Sequence, residues 1–218
     1  MEIKNNDFVK IEFDLYANDK LVQTTNEKKA KDAGLKIENK GPMTIIVGKR
    51  AIVKAVDEDM LNVKDNKTRT LELSPENAYG KRDNKNIKML PKSAFTEHEM
   101  RAVPGMVYDF NGMFGTVKSV VGGRVMVDFN NVLAGKNIKV EYSIVEKIED
   151  VKEKIIFIFE NVLKLPQKLF RVDVEDKEVG ITVPEELAKM QDVLKKSLEE
   201  FISDIKDYNL KIQNFKNK

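Results

Sequence analysis

Cysteine is absent from this chain and histidine occurs once. Without a thiol there is no disulfide, no thiolate nucleophile and no cysteine-held metal, and the composition agrees with a reducing, intracellular setting. The single histidine, His98, stands between Glu97 and Glu99 in a charged turn, where a solvated surface position is the simplest reading. No metal and no cofactor is therefore expected. An excess of one charge is missing too: 38 lysines and arginines oppose 36 aspartates and glutamates, a formal net charge of +2. No strong field invites nucleic acid or anionic lipid. No apolar run approaches the roughly 20 residues of a membrane span, and the opening Met1-Glu2-Ile3-Lys4-Asn5-Asn6-Asp7 has no apolar signal core. These absences predict a cytoplasmic protein with neither a membrane nor a nucleic acid as partner.

What is present is a chain of 218 residues, 41% hydrophobic and 34% charged, enough to bury a core beneath a heavily charged surface. Val9, Ile11, Phe13 and Leu15 alternate with Lys10, Glu12 and Asp14, the period of a strand with one buried face. After Asn18-Asp19, Thr24-Thr25-Asn26 followed by Glu27 to Gly34 reads as a capped short helix closed by glycine. Met43 to Val47 is strand-like, Gly48 breaks it, and Ile52, Val53, Val56 and Met60 recur at helical spacing. Thr68 to Leu73 and then Ile138, Val140, Tyr142 and Ile144 supply two more alternating strands.

Between these strands, residues 84 to 131 carry five glycines among short apolar runs, which predicts an inserted module of small strands joined by tight turns. From Val151 the periodicity changes. Val151, Ile155, Ile158 and Val162 suit a helix, and Phe170 to Val174 with Val179 to Val183 suit a hairpin. Pro184 with Glu185 and Glu186 fits the first turn of one helix whose apolar positions run from Leu187 through Met190, Leu194, Leu198 and Phe201 to Ile205. Tyr208, Leu210 and Ile212 add a final strand. The tail from 151 to 218 thus reads as α-β-β-α-β.

Two stretches are specific enough to name a family. Leu73-Ser74-Pro75-Glu76-Asn77-Ala78-Tyr79-Gly80-Lys81-Arg82-Asp83 resembles a segment of the FKBP family, and Val127-Asp128-Phe129-Asn130-Asn131-Val132-Leu133-Ala134-Gly135-Lys136 resembles the mark of its SlyD-like branch. Thr24-Thr25-Asn26-Glu27 before a charged helix is similar to the long archaeal members. The resemblance implies an α+β protein in which residues 1–83 and 132–150 form an antiparallel half-barrel around a short helix. It makes 84–131 a β-rich insert-in-flap chaperone domain. Residues 151–218 are left as a C-terminal domain whose stripe from Leu187 to Ile205 packs on its own hairpin or, as the alternative, forms a dimer seam.

The implied activity is peptidyl-prolyl cis-trans isomerisation. Rotation about an X-Pro bond faces a barrier of roughly 20 kcal/mol because the amide must lose partial double-bond character. No nucleophile is needed. An apolar pocket that strips water from the imide favours the twisted state, and lowering the barrier by about 4 kcal/mol gives roughly a thousandfold gain.

Carried over by resemblance, the pocket comprises Phe13, Val22, Gln23, Met43, Ile52, Val53, Val56, Tyr79 and Val140. Phe13 stands where the family has tyrosine, Gln23 where it has aspartate, and Val56 and Val140 where it has aromatics, so weak isomerase activity is expected. Losing the hydroxyl and the carboxylate together avoids stranding one buried polar group without the other.

Client contacts are expected from the insert's methionines and aromatics, namely Met89, Phe95, Met100, Met106, Tyr108, Phe110, Met113, Phe114 and Met126, because flexible, polarizable side chains adapt to varied unfolded segments. Packing of the insert's own core is the competing use of the same residues. The expected partners are unfolded or proline-containing polypeptides and a second copy of the chain through the tail. The competing functional class is a non-catalytic holdase or assembly module on an eroded FKBP scaffold. An RNA-associated barrel is a third class, opposed by the neutral charge and the missing aromatic-basic motifs.

Overall fold

The computed structural model describes residues 2–36, 41–96 and 101–215. The first strand, β1 (Phe8–Ala17), buries Val9, Ile11, Phe13 and Leu15 as its alternation requires. Asp14, on the polar phase, is buried as well, because its carboxylate accepts hydrogen bonds from the Thr24 hydroxyl and the Lys29 ammonium. β2 (Lys20–Thr24) leads to α1 (Glu27–Asp32). Asn26 caps α1 by accepting from the Lys29 amide at 3.0 Å. Its far end closes with Gly34 at φ 66°, where the amides of Gly34 and Leu35 bond the carbonyls of Lys31 and Ala30.

β3 (Met43–Ile46) pairs antiparallel with β1, and α2 (Lys54–Met60) follows with Val56 and Met60 buried. β4 (Arg69–Leu73) precedes β5 (Ile87–Pro91), a four-residue α3 (Ser93–Thr96), β6 (Val107–Phe110), β7 (Met113–Val121), β8 (Arg124–Asp128) and the long β9 (Ile138–Ile148). One sheet has the order β2-β1-β9-β4 with β3 also on β1; a second, four-stranded and antiparallel, has the order β5-β8-β7-β6.

The tail opens on α4 (Val151–Phe157), capped by the Asp150 carboxylate, and runs into a π-helical turn over Ile158–Val162. The hairpin β10 (Arg171–Glu175) and β11 (Glu178–Val183) is followed by α5 (Glu185–Ala188), α6 (Gln191–Phe201) and β12 (Asn209–Asn214), which lies parallel to β11. Parallel pairing needs a crossover, and the two helices supply it.

The single helix expected from Pro184 to Ile205 is in fact two. Lys189 caps the end of α5, Met190 at φ −98° and ψ 24° caps the start of α6, and Pro184 sits before α5 as its N-cap. The break lets α5 pack on β11 and β12 while α6 turns Leu194 and Leu198 inward and leaves Met190 and Val193 half exposed.

The chain forms two compact units. One holds residues 1–15, 21–71 and 140–218; the other holds 16–20 and 72–139. In the first, the tail's Leu198, Ile202 and Ile205 share a continuous core with Phe8, Ile46 and Ile148, and Phe8 meets Phe157 edge to face at 5.8 Å. The tail's apolar stripe thus closes over the N-terminal strands as well as over its own hairpin. In the second, Phe95, Val117, Val125 and Val127 are the buried centre of the four-stranded sheet. No helix among the described residues is long and apolar enough to cross a membrane.

Candidate functional site

Eight of the nine expected pocket residues lie in the first unit, and Tyr79 lies in the second. Phe13, Val53, Val56 and Val140 are buried; Val22, Met43 and Ile52 are half-buried; Gln23 is exposed at the surface. Val53 is the N-cap residue just before α2, and the loop before it is held by Asp57, whose carboxylate accepts from the Arg50 amide at 2.8 Å. Phe13 lines a cavity of about 180 Å³ with Thr25 and Tyr142. Tyr79 is half-buried in its own unit, and that burial pushes its hydroxyl pKa upward.

Asp59, at the inner end of α2, accepts from Arg69 Nη2 at 2.6 Å and from the Tyr142 hydroxyl at 2.6 Å. The Arg69 guanidinium first, and the tyrosine hydroxyl after it, hold its carboxyl below the usual aspartate range against the opposing effect of burial. Burial and then the neighbouring carboxylate raise Tyr142 far above an ordinary phenol.

A depressed carboxylate contributes stability that is complete above its unfolded value and lost as pH falls through its folded one. Arg69→Gln is therefore expected to be less stable than the native chain at neutral pH. The gap in urea midpoint between the two should narrow as pH drops below about 4, the unfolded aspartate value. A gap independent of pH would contradict the assignment.

In the second unit, the register assigns each side chain to a face. Leu90, Val125, Val127, Val117, Val120, Tyr108 and Phe110 point to the side covered by Phe95, which stacks edge to face on Tyr108 and Phe110 at 5.5 Å. Phe95 and Phe110, both expected to meet clients, thus pack the module's own core, and Phe95 is fully buried.

The opposite face carries Ile87, Met89, Met126, Val107, Phe114 and Val121. Met89 is 53% exposed, Val107 48%, Phe114 66% and Val121 73%. Met106 and Met113 are exposed near the β6–β7 hairpin, and Met100 lies outside the described residues. Ile87, Val107 and Val121 were missed in the sequence. They are neither methionine nor aromatic, and only their place two residues from Met89 or across the ladder from its neighbours marks them.

The chain's entry to and exit from this sheet are fastened together. Asn130 Oδ1 accepts from the Asp83 amide at 2.9 Å while its Nδ2 donates to the Asp83 carbonyl at 2.9 Å. The Gly135 amide donates to the Gly80 carbonyl, the Phe129 amide to the Asn86 carbonyl, and Arg82 pairs with the buried Asp128. The two family-like stretches, over 40 residues apart in the chain, are the two halves of one clasp.

Comparison with known families agrees with this arrangement. Residues 1–96 match the family described as FKBP-type peptidyl-prolyl cis-trans isomerase, and residues 88–133 match that described as FKBP26, IF domain. The chain is 29% identical over 139 residues to a short-type peptidyl-prolyl cis-trans isomerase of Methanocaldococcus jannaschii, covering 63% of this chain and 88% of that protein. It is 29% identical over 113 residues to a probable FKBP-type 16 kDa peptidyl-prolyl cis-trans isomerase of Pseudomonas fluorescens, covering 50% of this chain and 74% of that protein. It is 26% identical over 121 residues to the FKBP-type isomerase SlyD of Helicobacter pylori, covering 54% and 65%. With an isomerase domain and an IF domain matched in overlapping succession, and with the clasp built from both quoted stretches, the chain carries an FKBP-type peptidyl-prolyl cis-trans isomerase domain and is similar to the short-type and SlyD members of that family.

Proposed function

We propose that this peptidyl-prolyl cis-trans isomerase is a folding helper that holds unfolded polypeptide on the outer face of its inserted sheet, residues 84–131, and isomerises proline bonds with a slow pocket. The observation that carries the reading is the run of exposed Met89, Val107, Phe114 and Val121 on one face of a sheet whose other face already has its core. A solvated antiparallel sheet ordinarily alternates apolar-in with polar-out, so four strongly exposed apolar side chains set among Asp109, Thr116, Ser119 and Arg124 on the outer face suit a use beyond folding. Methionine among these residues lets the face adapt to clients of different shape.

The isomerase pocket needs no acid or base, because twisting the imide requires only exclusion of water and a surface for the proline ring. The resemblance assigns that surface to Phe13, Val22, Ile52, Val53, Val56 and Val140, of which Phe13 lines a cavity with Thr25 and Tyr142, whereas Met43 lines a separate groove beside α4. Valine where the family has aromatics gives the ring less area to pack on, which supports slow turnover. Tethering client capture to the same chain raises the local concentration of proline bonds and offsets part of that weakness.

The test compares two substrates. Phe114→Asp is expected to lower catalysis of proline-limited refolding of an unfolded protein by about tenfold, the loss of one central apolar contact. Turnover of a short proline tetrapeptide should fall far less. Equal losses on both substrates, or none on either, would remove the outer face from the mechanism.

A further inference from the structure

We infer that the groove between β3 and α4 is a second polypeptide-binding site, taking an extended segment by strand addition along β3 with a lysine or arginine set against Glu160. The site lies wholly within the first unit and does not depend on the outer face of the inserted sheet. Its volume is about 310 Å³. Pro42, Met43 and Thr44 form one wall, and Ile156, Phe157 and Glu160 are on the other. Consecutive strand residues point to opposite faces, so three in a row around one groove place it along the strand's edge.

That edge is open. Among the described residues β3 pairs only with β1. The Val47 amide bonds the Asp7 carbonyl, so by antiparallel alternation Ile45 and Met43 direct their backbone groups to β1 while Thr44 and Ile46 direct theirs outward. The Ile46 carbonyl accepts from the Lys49 amide, which leaves the Thr44 N–H and C=O as the pair available to an added strand.

The opposite wall is shaped by the π-helical turn. The Leu163 amide bonds the Ile158 carbonyl five residues back, a widening that sends Ile158 and Phe159 into the core and keeps Glu160 at the groove. Ile156 and Phe157 are half-buried and supply the apolar floor. Glu153, the other carboxylate there, is bonded to Lys10 at 2.9 Å, whereas Glu160 has no ion pair among the described residues. Among the described residues the groove therefore combines a backbone edge without a strand partner, an apolar floor and one negative charge without an ion pair. An extended chain with an apolar side chain turned to the floor and a cation beside it satisfies all three.

The experiment uses the intact protein and two labelled, proline-free peptides of alternating threonine and valine, one with lysine at both ends and one with glutamate. Fluorescence anisotropy is expected to show the lysine peptide binding about tenfold more tightly, and Glu160→Lys to invert that order. Thr44→Pro, which deletes the outward N–H at an edge position where proline is accommodated, should weaken both peptides. Inversion can be displayed only by a folded protein, so it separates loss of the site from loss of the fold. Equal binding of the two peptides, or an order unchanged by Glu160→Lys, overturns the proposal. So does light scattering that shows a dimer dissociated by Glu160→Lys, because a second copy would then be the occupant.

Discussion

Replacing Gly115 with valine is expected to unfold the inserted four-stranded sheet. Gly115 sits on β7 opposite Tyr108, on the face that packs against Phe95. A Cβ there would lie 2.5 Å from Val127 Cγ1, 2.9 Å from Phe129 Cε1 and 3.1 Å from Phe110 Cε2. None of these neighbours is a loose side-chain end in solvent. Val127 is fully buried in a central strand, and Phe110 is wedged edge to face between Phe95 at 5.5 Å and Phe129 at 5.3 Å. Overfilling a packed core costs about 1–3 kcal/mol for a small addition, and the three carbons of valine go beyond the single methyl of alanine.

Among the described residues the module's buried apolar centre is four residues, too few to spread the strain. Gly115→Ala is accordingly expected to weaken the sheet by about 1–3 kcal/mol and Gly115→Val to exceed the sheet's own stability. Hydrogen exchange reads the result. Amides across 107–128 should lose protection in the valine variant while those of β10 to β12 keep theirs, and suppression of aggregation should fall in step. Native protection at Val117 and Val127 in Gly115→Val would refute the packing account.

Gly115 also shows where a sequence stops being legible. Its neighbours Met113 and Phe114 read as candidates for the same role, yet Phe114 stands on the open face while Gly115 is closed in by three side chains. Deciding which face is open takes the cross-strand register, and β7 changes phase at an irregularity between Val117 and Ser119 that no period-two reading anticipates. Where one face is buried and the period is unbroken, as in β1 or β9, alternation identifies the core without help. Helix ends are readable where a side chain or glycine enforces them, as Asn26 and Gly34 do. The break at Met190 has no such residue, since apolar spacing continues through it, and the π turn at Ile158–Val162 leaves the apolar pattern intact while redirecting Glu160. Buried acids were invisible for a further reason. Asp14 and Asp128 look like surface residues until their partners, distant in sequence, are known, and Asp57 does so until the loop at Arg50 is seen to fold back on it.

Asp128 carries the second large expectation. It is 1% exposed at the end of β8, where Oδ1 accepts from both the amide and the Nδ2 of Asn130, at 2.9 and 2.8 Å, and the other oxygen faces the Arg82 guanidinium. Removing the carboxylate in Asp128→Ala strands those two donors and leaves the guanidinium without its anion. A buried partner lost in this way costs about 3–5 kcal/mol, and because Arg82 is 39% exposed and can turn to water the lower end applies.

The damage should spread beyond one residue, since Asn130, oriented by Asp128, is also the side chain that holds both backbone groups of Asp83. Asp128→Asn keeps an acceptor for Asn130 and loses only the charge, so stability should rank native, then asparagine, then alanine. A double-mutant cycle with Arg82→Ala should give a coupling of about 1–3 kcal/mol, and exchange at the Asn86–Phe129 bond should quicken in proportion. Additive effects of the two substitutions would mean that the arginine merely lies near the acid, and the clasp would then rest on Asn130 and the backbone bonds at Gly80 and Asn86.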